Sequence, residues 1–320
     1  MTVIALDIGG TFIKGGVYAG DGRALKTLTW PTDTERGGDA VMDTMLDCAS
    51  HLVEEAAALA VEPDAIGIVV PGLVDEQAGI AVHAANLGWH KTPVARWAEE
   101  HLGLPVAFGS AVRAGGLAEH RLGAGRGSSG FGFVTLGTAI AAAVLLDGQP
   151  LSGALGLAGE LGHMVVRPGG EICACGAYGC LQTVSSATAV GRRYARAAGR
   201  EDVGADEVAR LAAAGEERAT RLWREAVDAL ADALVSFTLV LDLDRIALGG
   251  DLALAGETLL EPLREGMARR LVFRPAPQLV PSELGRRAGC VGAALLAHEQ
   301  EREKRRLGVD RGVAPGTGSP

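Results

Sequence analysis

Four residues constrain this chain more than any others: His163, Cys173, Cys175 and Cys180, spaced 10, 2 and 5 positions apart. One imidazole and three thiolates complete a tetrahedral zinc shell, the donor set of a structural site. A segment that must gather these donors onto one ion has to fold as a loop, not as a strand or a continuous helix. The chain has 5 cysteines; the other two, Cys48 and Cys290, lie in apolar patterns and are expected in the core. Disulfides are not expected. Residues 1–6 are a short apolar stretch interrupted by Asp7, which does not read as a secretory leader. No uncharged run reaches the roughly 18 residues of a membrane span. A cytoplasmic protein is therefore expected, where thiols stay reduced and are free to ligate metal.

Composition narrows the fold. Of the 320 residues 48% are hydrophobic but only 4% aromatic, so the core must be built from Ala, Val, Leu and Ile, which suits helices packed on sheets. The net charge of −9 argues against nucleic acid or an anionic membrane as partner. The 46 glycines fall mostly in short clusters between apolar runs and read as turns.

Along the chain, Thr2–Leu6, Ala65–Val70, Val106–Phe108 and Arg245–Leu248 read as buried strands. Phe131–Leu136 and Ala139–Leu146 read as a hairpin, Ala40–Ala60 and Ala114–Leu122 as helices, and Asp206–Leu241 as two helices broken near Gly215. Cys290–Glu301 reads as a closing helix. Two similar halves fit this pattern, with strand-to-glycine turns near Asp7 and Gly137. The expected division is a small α/β lobe over 1–112 joined by the helix 290–304, a large lobe over 113–289 with the metal loop at 159–182, and a disordered tail over 305–320.

The segment Gly159-Glu160-Leu161-Gly162-His163-Met164, followed by Cys173-Ala174-Cys175-Gly176-Ala177-Tyr178-Gly179-Cys180-Leu181, resembles the zinc motif of the ROK family of sugar kinases. Asp7-Ile8-Gly9-Gly10-Thr11-Phe12-Ile13-Lys14 resembles the first phosphate motif of the sugar kinase, heat-shock and actin superfamily. Thr135 to Ala141 is similar to its second phosphate turn, and Leu248-Gly249-Gly250-Asp251 to its adenosine-side turn. Val70 to Asp75 and Ala85 to Trp89 are similar to the family's sugar-side segments. The resemblance runs from Asp7 to Gly250, nearly the whole folded chain. It implies a two-lobed, actin-like α/β fold with ribonuclease H-like lobes and a cleft between them.

The resemblance also implies roles. Zinc would be structural, on His163, Cys173, Cys175 and Cys180. Gly72, Asn86, Ser110, Glu160, His163 and Gln182 would face a sugar, Gln182 standing where many members have glutamate. ATP and magnesium would be held by Asp7, Gly9, Gly10, Thr11, Lys14, Gly137, Thr138, Gly249 and Gly250. A homodimer or homotetramer is implied. In Val106-Ala107-Phe108-Gly109-Ser110-Ala111, the family has Asn-Asp or His-Asp where this chain has Ser110-Ala111. That aspartate is the base toward the sugar hydroxyl, and a methyl group accepts no proton. Ala139 replaces a usual glycine, which would be strained at positive φ. Asp251 replaces another, either facing nucleotide or capping the next helix.

These departures lead us to expect a binder of a hexose, amino sugar, sugar phosphate or cyclitol whose ordinary kinase catalysis is lost or repurposed, with Glu160 the candidate acid–base group. The alternative is a functioning ATP-dependent, glucokinase-like kinase with an unusual or weak catalytic site.

Overall fold

In the computed structural model, which describes residues 1–307, the apolar run Thr2–Ile8 forms strand β1. Every residue from Val3 onward is buried, as in a strand covered on both faces. It turns back into β2 (Phe12–Ala19), and β3 (Ala24–Pro31) continues the meander. Helix α1 (Gly38–Ala58) follows. Its Val41, Met45, Cys48 and Leu52 recur at helical spacing and are buried. β4 (Ala65–Val70) then joins β1 in parallel. A small antiparallel sheet of β5 (Leu73–Asp75), β6 (Ile80–Ala84) and β7 (Trp89–Thr92), which the sequence patterns did not predict, precedes α2 (Val94–Leu102). β8 (Val106–Ser110) completes the main sheet in the order β3-β2-β1-β4-β8, and α3 (Ala111–Leu122) starts directly from its end.

A second sheet repeats the plan. β9 (Gly130–Leu136) and β10 (Ile140–Leu146) form a hairpin that β11 (Gln149–Pro150) extends. β12 (Arg245–Gly249) and β13 (Gln278–Pro281) add in parallel on the far side of β9, giving the order β11-β10-β9-β12-β13. The helices associated with this sheet are α4 (Gln182–Ser185), α5 (Ala187–Ala198), α6 (Ala205–Ala213), α7 (Glu217–Leu241) and α8 (Glu257–Arg270). Gly215, at φ 82°, separates α6 from α7.

The last helix, α9 (Ala288–Arg306), packs on β4 so closely that a Cβ on Gly67 would lie 1.9 Å from the Ala293 carbonyl oxygen. Residues 1–114 with the segment from Gly289 form one unit, and 115–288 the other. The first unit has a core around Ile4, Leu6, Met45 and Ile68, the second around Val134, Leu230, Leu234 and Ile246. Because α9 runs through Arg306, residues 305 and 306 are helical and not the start of a disordered tail; positions 308–320 lie outside the described residues. Among the described residues no helix is long and apolar enough to cross a membrane.

Candidate functional site

The metal loop gathers its four donors. Cys173 Sγ lies 3.7 Å from His163 Nδ1, and Cys175 Sγ lies 3.7 Å from Cys180 Sγ. All four donor atoms are within 4.8 Å of one another. Donors bonded at ~2.0–2.3 Å to one tetrahedral ion stand about 3.4–3.8 Å apart, so the set fits a metal such as zinc with little movement. Short bridges pair Val165 with Cys180 and Ile172 with Tyr178, which doubles the loop back on itself. Burial pushes the Cys173 thiol up, but hydrogen bonds from Cys175, Gln182 and His163 bring it down to about 7. Burial and the neighbouring thiols push Cys180 up to about 12. A cation among them would hold both as thiolates.

Two expected sugar groups flank this centre. Glu160 stands at the N-cap position of the short turn Leu161–His163 and brings Oε2 to 3.8 Å from His163 Nε2. Gln182 donates its amide nitrogen to Cys173 Sγ at 3.1 Å, so it braces a metal ligand. The other two cysteines, Cys48 and Cys290, are buried, and burial pushes both thiols up to about 12.

In the first unit, Asp7 and Lys14 are cross-strand partners in the β1–β2 register, with Lys14 Nζ 3.3 Å from Asp7 Oδ2. Burial raises the Asp7 carboxyl above the ordinary carboxylate range, and Lys14 opposes this. The start of α9 presses on the same carboxylate: a Cβ on Gly289 would sit 2.5 Å from Asp7 Oδ2. In the turn between these strands, buried Thr32 takes both outward carbonyls. Its Oγ1 donates to Gly9 O at 2.7 Å, and its N–H to Thr11 O at 3.0 Å. Among the described residues no hydrogen bond uses the N–H of Gly10 or Thr11, which leaves a donor pair suited to an anion. Asn86 packs over this turn, its Nδ2 3.0 Å from where a Cβ on Gly10 would stand. Gly72 has φ 86°, and a Cβ there would meet the His83 carbonyl oxygen at 2.3 Å.

Ser110 ends β8, and Ala111 opens α3. Beside them lies a charged pair that no sequence motif disclosed. Glu76 Oε1 accepts from the Ser110 backbone N–H at 3.1 Å, from Arg113 Nε at 3.1 Å and from Arg113 Nη2 at 3.0 Å. Arg113 is buried. The partners are 34 and 37 positions apart, beyond the reach of any local pattern.

The second unit carries together the two turns that the resemblance assigns to nucleotide, at Gly137 and Gly250. Gly137 N–H bonds Ala139 O at 3.0 Å, and Gly137 O accepts from Ala187 N–H at 2.9 Å, which ties the turn to the start of α5. Ala139 is not among the residues of positive φ, so the expected strain is absent. Gly250, at φ 87°, lies against Leu136, and a Cβ there would be 2.7 Å from that backbone. An open cavity of about 850 Å³ adjoins these turns, lined in part by Ala187, Thr188, Arg192, Arg196, Asp251 and Arg286. Asp251 is not the helix cap; Gly250 holds that position, and the Asp251 carboxylate pairs with Arg286 at 3.0 Å. Glu171 of the metal loop holds both cavity arginines, pairing with Arg192 and, at 3.0 Å, with Arg196.

Comparison with known proteins matches residues 3–300 to the family model described as the ROK family. The glucokinase of Thermotoga maritima is 32% identical, over 94% of this chain and 98% of that protein. The ROK hexokinase of Thermus thermophilus superposes with a TM-score of 0.83 at 37% identity, covering 95% of this chain and all of that one (100%). A ROK family glucokinase from Streptomyces griseus, solved with glucose and AMPPNP, gives 0.81 at 30% identity over 93% of this chain and 100% of its own. The fold shared with these structures is the two-lobed, actin-like sugar-kinase fold.

Proposed function

Because the chain belongs to the ROK family, we propose that it is a sugar kinase that transfers the terminal phosphate of ATP to a hexose, and does so slowly because Ala111 stands where the resemblance places the base. Glucose is the first candidate substrate, since the similar proteins include glucokinases. The observation that carries the reading is the state of the nucleotide-side turns. Of three departures expected to disable transfer, Ala139 needs no left-handed backbone, and Asp251 is neutralised by Arg286. Position 111 alone remains. Phosphoryl transfer relies chiefly on positioning and charge stabilisation, and a general base contributes about 10²–10⁴-fold, so loss of the base slows the reaction without abolishing it.

In this reading the metal is zinc. Its closed shell leaves no open position, so its part would be to hold the loop that carries Glu160. Glu160 accepts from sugar hydroxyls, and His163 presents Nε2. Asn86, Gly72, Ser110 and the remaining amide capacity of Gln182 are assigned to the same ligand by the resemblance. The free N–H groups of Gly10 and Thr11, the Thr138 hydroxyl and the Gly137 turn receive phosphate oxygens. Asp7 and Lys14 balance charge at the magnesium-bound phosphates. Gly249 and Gly250 take the nucleoside side, beside the charged cavity. A second reading, a sugar binder without transfer, is favoured by Ala111 alone. Calorimetric titration with glucose and with AMPPNP plus magnesium tests the proposal: both should bind, and failure of the nucleotide analogue to bind would leave only the sugar binder.

A further inference from the structure

We propose that Glu76 serves as the base for the sugar hydroxyl in place of the carboxylate missing at Ala111. The proposal rests on the kinase reading above. Three features of the Glu76 carboxylate carry it. Its Oε1 is fixed by the backbone N–H of Ser110, the residue directly before Ala111. Arg113 reaches that same oxygen with both Nε and Nη2. A guanidinium and a carboxylate paired only for stability usually meet fork to fork, one nitrogen on each oxygen. Here both nitrogens converge on Oε1, and among the described residues no hydrogen bond uses Oε2. The side chain is also 37% exposed, against 8% for Arg113. One oxygen is therefore anchored by three donors while the other remains free to accept. With a methyl group at position 111, no second carboxylate competes there by like-charge repulsion.

As the sugar oxygen forms its bond to the γ-phosphorus of ATP, its O–H bond breaks and the proton passes to Glu76 Oε2. The bond from phosphorus to the bridging oxygen breaks, and its electron pair leaves on ADP. Glu76 then returns the proton to water. In a loose transition state the proton moves late, so a carboxylate is adequate to the task.

The test is ADP release with glucose and magnesium-ATP from four proteins: the natural chain, E76Q, A111D, and the E76Q/A111D double variant. Glutamine keeps the Oε1 acceptor for Ser110 and Arg113 but removes both the base and the negative charge opposite Arg113, which is why the loss is read in two backgrounds. The expected result is a loss of about 10²-fold or more for E76Q in the natural background, and a much smaller loss in the A111D background, where position 111 supplies the carboxylate. Turnover by the double variant also shows that E76Q folds. Equal losses in both backgrounds would assign Glu76 to holding Arg113 and overturn the proposal, as would an unaffected E76Q, and in either case the kinase reading stands. No turnover by the natural chain would overturn the kinase reading itself, and the proposal with it.

Discussion

His163 Nε2 lies 3.8 Å from Glu160 Oε2, while Nδ1 of the same ring faces Cys173 Sγ at 3.7 Å. One imidazole thus joins the metal set to the carboxylate assigned to sugar binding. A metal on Nδ1 fixes the tautomer, leaving Nε2–H as a donor toward Glu160 or a hydroxyl.

Metal binding and sugar binding should therefore fail together. Cys175→Ala opens the tetrahedral shell at its exposed member. We expect zinc content to fall and glucose affinity to weaken about 10–100-fold. Elemental analysis with calorimetry reads both, and unchanged glucose affinity in a zinc-depleted variant would separate the two functions.

The metal loop should also influence nucleotide binding. Glu171 holds Arg192 and Arg196, which line the cavity beside Gly137. Glu171→Ala should weaken AMPPNP binding several-fold while leaving zinc content unchanged. An affinity equal to that of the natural chain would show that the two arginines hold their places without the loop.

The close approach of α9 to Asp7 predicts intolerance at one glycine. A Cβ on Gly289 would lie 2.5 Å from Asp7 Oδ2, so Gly289→Val must shift either the carboxylate or the helix. A destabilisation of about 1–3 kcal/mol is expected from such overpacking, with weaker magnesium-dependent nucleotide binding. Denaturant unfolding provides the measurement; a variant as stable as the natural chain would contradict this packing.

His298 predicts a pH dependence. It is 3% exposed, and its Nε2 is 3.0 Å from Ala19 O. Burial, reinforced by the positive charge of Arg302, lowers its pKa from the ordinary 6.5. Protonation therefore favours the unfolded chain, and this contribution to stability is full above 6.5 and declines as pH falls below it. His298→Gln retains a donor and should flatten that decline. Parallel unfolding curves at pH 7 and pH 5.5 for the two proteins test this, and identical slopes would exclude His298 as the cause.

Much of this architecture was legible because its determinants are local. Apolar runs ending in glycine or Pro-Gly mark β1, β4 and β12, and the His163–Cys180 spacing marks the candidate metal loop. What remained hidden depends on distant partners. Glu76 meets Arg113 only because β5, which it follows, lies against β8. Thr32 reaches Gly9 only through the β2–β3 register. Position 139 is illegible for a different reason: glycine in related turns raises the question of a left-handed backbone, and only the structure shows that the chain has no positive φ there. Asp251 likewise reads from its place in the sequence as either facing nucleotide or capping the next helix, yet Arg286, 35 positions away, takes its carboxylate.

The most direct test is initial ADP release with saturating glucose and magnesium-ATP, comparing the natural chain with Ala111→Asp. Detectable but slow turnover is expected for the natural chain, below the ~1–10³ s⁻¹ common among enzymes, with a gain on restoring the carboxylate that stays under the full ~10²–10⁴-fold of a general base because Glu76 already accepts the proton. Turnover within that common range and unimproved by Ala111→Asp, or no turnover in either protein, would contradict this expectation.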